Sequence, residues 1–358
     1  MADKITLQQI ARAAKVSLAT ASRVLNKTGR VSPEAERRVR AALVKMGSSG
    51  ERTARSYTLC FLLANRPMLH PFHAHALMGA HSYAAEHGNH ILFYPFSYGA
   101  GVSPDDLRLP LLLERRGIVD GYIVSGMNSP NLLELLSRAG VPFAVLGNNV
   151  LGEWDPSQFD VVWIDDITGA NETTQYLLGL GHRSICFLGS RRIPSARMEQ
   201  GYSRAMEEAG QEPHIVESDS ADERDSGYIA LKGLLSRREA ATAVFAHTDS
   251  VAHGALEAAL SCGLRVPENI SIAGFGDRPE ATAMTPALTT VCGYPDQVGR
   301  RLAELVLKRI VDREAPPSRV LLPTRLIKRD SCGRVAGNAP ASSPADRPAE
   351  PRNAMEIA

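Results

Sequence analysis

The chain has 358 residues, 44% hydrophobic and 22% charged, with 40 Lys/Arg against 39 Asp/Glu. That length suits two or three domains of ordinary globular composition, and no apolar run approaches the roughly 18 residues of a transmembrane helix. The charge is unevenly spread: residues 1–60 carry 12 Lys/Arg and 4 Asp/Glu, a balance of +8, and the remaining 298 residues balance at −7.

A small basic head on a mildly acidic body points to a polyanionic partner for the head alone. The five cysteines (Cys60, Cys186, Cys262, Cys292, Cys332) lie far apart without metal spacing and read as reduced thiols. The N-terminus is charged and amphipathic, with no signal-peptide core. Both features predict a cytoplasmic protein.

Apolar residues recur at Leu7, Ile10, Ala11 and Ala14, one stripe of a short helix. Lys15-Val16-Ser17 breaks the pattern, Ser17 is a good N-cap, and a second stripe follows at Ala21, Val24 and Leu25. Two short helices joined by a tight turn read as a helix-turn-helix over Leu7–Asn26. Ser32-Pro33 opens a third helix, with a stripe at Val39, Ala42, Leu43 and Met46 and a stop at Gly47.

In such a unit the second helix enters the DNA major groove with its early residues toward the bases. Its outward positions are Leu18, Ala19, Ser22 and Arg23. The first two suit thymine methyls, and Arg23 suits a bidentate pair with guanine. Thr6 with its neighbour Leu7, and Ser17, Thr20, Ser22, Asn26 and Ser32, flank the groove-facing side as contacts that set register on phosphates.

The run ITLQQIARAAKVSLATASRVLNKTGRVSPEAERRV resembles the head of the LacI/GalR family of transcriptional repressors. Val-Ser-x-x-Thr-x-Ser-Arg-Val-Leu-Asn carries the resemblance, and Gly-Arg-Val-Ser-Pro-Glu follows at the family's spacing. It continues to about Cys332, nine-tenths of the chain. The family's connector reads Tyr-x-Pro-Asn-x-x-Ala-Arg-x-Leu, and on DNA it forms a hinge helix whose leucine wedges into the minor groove. This chain keeps Ala54-Arg55 and has Tyr57 where the leucine would stand, with Ser49-Gly50-Glu51 in place of the Arg-Pro-Asn-like stretch. Residues 48–57 therefore read either as a flexible tether or as a hinge whose DNA contacts are Arg55 and Tyr57.

Apolar runs at Leu59–Ala64, Ile91–Tyr94, Gly121–Val124, Phe143–Leu146, Val161–Ile164, Ile185–Leu188, Ala243–Ala246 and Ile270–Ala273 read as buried strands. Helical stretches lie between most of them, so the body is α/β with doubly wound parallel sheets, too many strands for one sheet and enough for two. The resemblance implies two lobes of the periplasmic-binding-protein type I fold behind a small all-α head at 1–47. Lobe one is expected over 58–164 and 293–332 and lobe two over 165–291, with three crossings that suit a hinged clamp. Residues 333–358, rich in Pro, Ala and polar residues, are expected to be disordered.

Ligands of open α/β sheets bind beyond the carboxyl ends of the strands, and two lobes set two such edges face to face. The first candidate is Asn65–His75, where the family's Ser/Asn-Pro-Phe-Phe aligns with His70-Pro71-Phe72-His73. This makes His70, Phe72 and His73 candidate effector contacts. In Gly189–Gly201 the family places an arginine three residues before Gly-Tyr. Here Met198 holds that place, and Arg197 is expected to supply the guanidinium by a one-residue shift. The family's Gly-Phe/Tyr-Asp-Asp becomes Gly274-Phe275-Gly276-Asp277, so either Asp277 substitutes as the acceptor or the pocket lacks it and takes a different ligand. Thr248, where asparagine is usual, and Asn148, after the Phe143–Leu146 run, complete the set.

Six of the ten histidines fall between His70 and His90; a metal site needs three or four converging ligands, usually with acidic or thiol help, and cleft polarity and surface exposure explain this cluster better. No dinucleotide fingerprint, phosphate-cradling lysine loop, nucleophile elbow or metal-protease helix is present, so neither a cofactor nor catalysis is expected. Together these features predict a repressor that binds a pseudo-palindromic operator in double-stranded DNA as a homodimer. Its small-molecule effector would be a sugar-like polar metabolite held between the lobes, and no membrane partner is expected. A solute-binding receptor would share the body without the basic head. An enzyme on the same lobes would need a nucleophile–base pair or a carboxylate dyad, and the sequence offers neither.

Overall fold

The computed structural model describes residues 6–26, 31–45, 56–66, 70–114, 117–190, 195–218, 220, 222–237 and 241–335. They fall into two compact units, residues 1–57 with 88–90 and the remainder of the chain.

The first unit holds helices α1 (Leu7–Ala14), α2 (Leu18–Asn26) and α3 (Pro33–Lys45). Thr6 and Gln9 form a capping box at the start of α1, and Lys15 ends that helix in the left-handed region. Ser17 Oγ accepts from Thr20 N at 3.0 Å and Ser32 Oγ from Ala35 N at 3.3 Å, which satisfies free N–H groups at the next two helix starts. Ile10, Ala14, Val39 and Ala42 form the core, with Val16 and Val24 against it. Leu25 is exposed, because Ala21 and Val24 already carry the inward face and Leu25 lies one step further round the helix. Met46 and Gly47, and the connector apart from Ser56 and Tyr57, lie outside the described residues. Tyr57 is not part of a free tether. Its N–H donates to Asn89 Oδ1 at 2.9 Å, and its carbonyl accepts from His90 N at 2.9 Å.

The second unit begins with β1 (Thr58–Ala64), α4 (Pro71–Glu86), β2 (His90–Phe96), α5 (Leu111–Glu114), β3 (Gly121–Gly126), α6 (Pro130–Arg138), β4 (Phe143–Leu146) and β5 (Asp160–Ile164). Next come α7 (Asp166–Gly179), β6 (Ile185–Ser190), α8 (Ala196–Glu208), β7 (His214–Ser218), α9 (Glu223–Ser236), β8 (Ala243–Ala246), α10 (Asp249–Ser261), β9 (Ser271–Ala273) and α11 (Pro279–Ala283). The chain closes with β10 (Thr290–Cys292), α12 (Pro295–Val311), β11 (Arg319–Leu322) and β12 (Arg325–Ile327).

One sheet has the order β11-β5-β4-β3-β1-β2 and a second β7-β6-β8-β9, while β10 and β12 pair antiparallel. The central pairings of both large sheets are parallel. The central strands β1, β3, β4, β6 and β8 are buried along almost their whole length, as their apolar runs require. The strand predicted at Ile91–Tyr94 is β2, an edge strand and only half-buried. Edge strand β7 alternates half-buried and exposed residues, β11 and β12 are only partly buried, and β10, though mostly buried, is only three residues long, which is why the apolar-run reading missed them.

The long α12 crosses α4 where two glycines meet. A Cβ on Gly299 would stand 1.7 Å from Ala76 O, and one on Gly79 1.9 Å from Asp296 O. This close approach lets α12 lie against the first sheet.

The chain passes between sheets after Ile164, after Cys292 and after Leu322. The first and third passages are tied together: Asp165 N donates to Leu322 O at 2.8 Å, and Thr324 Oγ1 to Asp165 O at 3.1 Å. The expectation that 293–332 belongs to lobe one needs correction beyond Leu322. Ser331 Oγ donates to Ile272 O at 2.6 Å, Gly333 N donates to Ser271 Oγ at 3.0 Å, and Val335 N to Leu180 O at 3.2 Å. Residues 329–335 are thereby stitched to the second sheet by backbone and hydroxyl hydrogen bonds, which leave no apolar signature. Of the predicted disordered tail, 333–335 are ordered in this way and 336–358 lie outside the described residues.

Candidate functional site

A cavity of about 340 Å³ opens where the carboxyl ends of the two sheets face each other. That volume lies at the small end of ligand pockets. Phe72, Leu146, Ile164, Met198 and Phe275 supply its apolar surface. Six of the seven predicted effector residues line it: His70, Phe72, His73, Asn148, Thr248 and Asp277.

Arg197 does not. It stands behind the wall, with Nε 2.7 Å from Asp166 Oδ1 and its guanidinium 4.8 Å over the Trp163 ring. Met198 lines the cavity in its place. The reason is helical phase: one residue turns a side chain by about 100°, so a one-residue shift cannot keep the same aim. Its link to the cavity is the ion pair with Asp166, which lines it.

The predicted polar residues meet a charged wall that the sequence reading missed: Arg66, Asp166, Glu223, Arg278 and Arg329, with His247. Asn148 is fully engaged. Its Nδ2 donates to Ile164 O (2.9 Å) and Asp166 Oδ2 (2.8 Å), and its Oδ1 accepts from Ile164 N (2.8 Å). Thr248 caps α10 by accepting from Val251 N and donates to Glu223 Oε2 at 3.0 Å. Asp277 accepts from Arg329 at 2.6 Å. His73 Nδ1 lies 2.9 Å from Ser125 Oγ, and burial first, then the nearby His70 and Arg66, pushes its pKa well below the usual value, so the ring is neutral.

Glu223 joins the two lobes. From the first lobe Arg66 comes within 3.6 Å and His70 within 3.5 Å; from the second, Arg278 lies at 3.4 Å. Burial pushes the Glu223 carboxyl up, but the approach of His70 and the Arg278 and Arg66 charges outweigh it and bring the pKa down to about 2. Behind Arg278, Asp249 accepts from the Arg278 backbone N–H at 2.7 Å and from the Thr290 hydroxyl. Arg66 and Arg278 were detectable in principle, since they sit within or beside the stretches read as candidate loops. Glu223 and Arg329 carry no local signal.

Asp249 yields a pH prediction. Burial raises its pKa from 3.8 to about 6, against the opposing hydrogen bonds of Thr290 and Arg278. The folded protein therefore binds this proton more tightly than the unfolded chain. That stabilisation is fully present below pH 3.8 and is lost as pH rises through about 6. Asp249→Asn should remove this component from urea-unfolding free energies measured between pH 4 and 7. A variant with the wild-type pH slope would refute the assignment.

In the head, Leu18 is 48% exposed and Ala19 and Arg23 are exposed at the surface of α2. Leu7, Thr20 and Ser22 are half-buried, and Thr6, Ser17 and Ser32 are exposed. The hydroxyls of Thr6, Ser17 and Ser32 cap their helices, and Ser17 and Thr20 share a 2.8 Å contact. Asn26 closes α2, and Arg55 lies outside the described residues.

A capped helix-turn-helix head and a two-lobed body with a polar cavity define a class of ligand-responsive regulators. Residues 6–47 match the bacterial regulatory proteins of the lacI family, and residues 174–332 a periplasmic binding protein-like domain. The HTH-type transcriptional regulator CelR of Thermobifida fusca is 31% identical over 339 residues, 91% of this chain and 98% of that protein. The HTH-type transcriptional repressor PurR of Escherichia coli O139:H28 is 31% identical over 337 residues, 91% of this chain and 96% of that protein. A solved transcriptional regulator CelR–cellobiose complex superposes with a TM-score of 0.67 at 29% identity, covering 92% of this chain and 100% of that one. The chain belongs to the LacI family and is a transcriptional regulator. Among the described residues no helix is long and apolar enough to cross a membrane.

Proposed function

We propose that this protein is a cytoplasmic repressor that binds a pseudo-palindromic operator as a homodimer and answers to a small hydroxylated, sugar-like effector in the cavity between its lobes. The carrying observation is the charged cavity wall built from both lobes, with Glu223 at the junction. A ligand that displaces or joins those contacts changes the relative stability of lobe arrangements, and only such differential binding shifts a conformational equilibrium. The cellobiose held by the CelR complex makes a saccharide-like effector the natural first class to test. The effector is bound and released unchanged, as expected of a regulator rather than an enzyme.

Arg23, with Leu18 and Ala19, reads the bases in this proposal, while Thr6, Ser17, Thr20, Ser22, Asn26 and Ser32 meet phosphates. Two-fold symmetry of the dimer then requires two half-sites. The test is capture of genomic DNA fragments by purified full-length protein at fixed near-physiological salt, because phosphate contacts make affinity steeply salt-dependent. A palindromic site should emerge. Arg23→Ala should cost about 1–3 kcal/mol at its guanine and relax preference there. No enriched site for the wild type, or an unchanged preference in the variant, would defeat the corresponding part of the reading.

A further inference from the structure

The cavity corner around Glu223 shares its acceptors unevenly among its cations. The wall carries three guanidiniums (Arg66, Arg278, Arg329) and three carboxylates (Asp166, Glu223, Asp277). Two of the carboxylates have close partners: Asp277 is 2.6 Å from Arg329, and Asp166 is 2.7 Å from Arg197, behind the wall. Arg66 and Arg278 are left to share Glu223, which also accepts from Thr248.

The two arginines are not equivalent. Arg278 donates to Ser250 Oγ and meets His70 Nε2 at 3.0 Å, and the buried Asp249 stands against its backbone. Among the described residues, the polar contact of Arg66 is the 3.6 Å approach to Glu223. Its Nε is buried without a hydrogen-bond partner, and its side chain is 12% exposed. Beside it, His70 Nδ1 is also buried and unpartnered. A guanidinium is a donor only, and one removed from water with a shared, distant carboxylate lacks an acceptor.

A complementary gap lies at His247, which is 1% exposed. Its Nδ1 is 3.0 Å from Leu188 O; a carbonyl only accepts, so Nδ1 carries the proton. That leaves Nε2 as a bare acceptor, buried and unpartnered, on a ring that lines the cavity.

We propose that the effector is a monoanionic sugar acid, whose carboxylate meets Arg66 and His70 and whose hydroxyl donates to His247. The inference rests on the cavity being the effector site and adds the charge class of the ligand. A planar carboxylate matches the guanidinium fork of Arg66, whose own carboxylate partner is shared and 3.6 Å away and whose Nε lacks an acceptor.

The test is thermal melting and calorimetry of the full-length protein with D-glucuronate, D-galacturonate and D-gluconate, each beside its neutral parent D-glucose, D-galactose or D-glucitol. At least one acid should raise the Tm in proportion to the logarithm of its concentration, and its parent should not. Arg66→Gln should weaken that acid at least about 30-fold. Its ligand-free Tm should not fall, because the change removes an incompletely balanced buried cation. Arg66→Lys, which keeps the charge without the fork, should lie between the two. Neutral parents binding as tightly as the acids, no acid binding at all, or unchanged acid affinity in Arg66→Gln would each overturn the proposal. DNA capture separates the two readings. An operator with only neutral effectors would overturn the sugar acid alone, whereas acid binding without any operator would overturn the repressor.

Discussion

Gly299→Ala should destabilise the body by about 3 kcal/mol, the upper part of the usual cost of overpacking. The added methyl would stand 1.7 Å from Ala76 O, where the neighbour is main chain and cannot rotate away. Relief requires α12 to lift from α4. Yet α12 also packs against β3, β4 and β5, with Val298, Leu302, Leu305 and Val306 buried. Separating the helices would open space along that face, and a packed interior has little slack to absorb it. Urea unfolding of the full-length protein measures the effect. A loss below about 1 kcal/mol would show that the crossing is looser than the backbone distances indicate.

Glu223→Gln should cost a similar amount, about 3 kcal/mol. Removing one partner of a buried ionic group strands the other charges, and here two guanidiniums depend on one carboxylate. The side chains of Arg66, Glu223 and Arg278 are 12%, 14% and 16% exposed, so residual cavity water partly solvates the stranded guanidiniums and keeps the cost at the low end of the about 3–5 kcal/mol usual for breaking a buried pair. The sign with pH is also set. The folded pKa of about 2 lies below the free value of 4.5, so the contribution of Glu223 is present above pH 4.5 and is lost as pH falls toward 2. The difference in unfolding free energy between wild type and variant should therefore shrink on acidification from pH 5 to pH 3. A constant difference would mean that shape, rather than charge, holds this corner together. The expected direction is opposite to that at Asp249, whose raised pKa strengthens the fold on acidification. The two variants together therefore separate the acid response of the cavity from that of the rest of the chain.

The head was legible in the sequence almost residue by residue. Ser17 and Ser32 cap the helices they were expected to cap, and Ile10, Ala14, Val39 and Ala42 form the core. Caps and helical stripes are interactions over three or four residues, and the sequence displays those directly. The central strands were legible for a related reason, since a strand buried on both faces must be apolar throughout. Edge strands β7 and β11 have a solvated side and no such run, and both went unread.

The cavity shows where local reading ends. The loop around His70 and the positions Asn148, Thr248 and Asp277 were found because strand ends face the cleft in this architecture. Arg197 was misplaced by a single residue, which rotated its guanidinium behind the wall. Glu223 entered through the first turn of α9, and Arg329 through a strand-end segment that returns to the second lobe after the chain has left it. Neither has a neighbour in sequence that marks it as a wall residue.

What the sequence by itself determined is therefore the family, the helix-turn-helix with its caps, the alternation of parallel strands and helices, and the loops that border the cleft. Each is encoded in short-range spacing or in the uniform apolarity that double burial demands. Only the tertiary structure decided which charges share the cavity, which of them lack a partner, and that residues 329–335 belong with the second lobe. Those outcomes depend on side chains brought together from Arg66 to Arg329, and the electrostatics of a buried site are set by distance in space rather than by position in the chain.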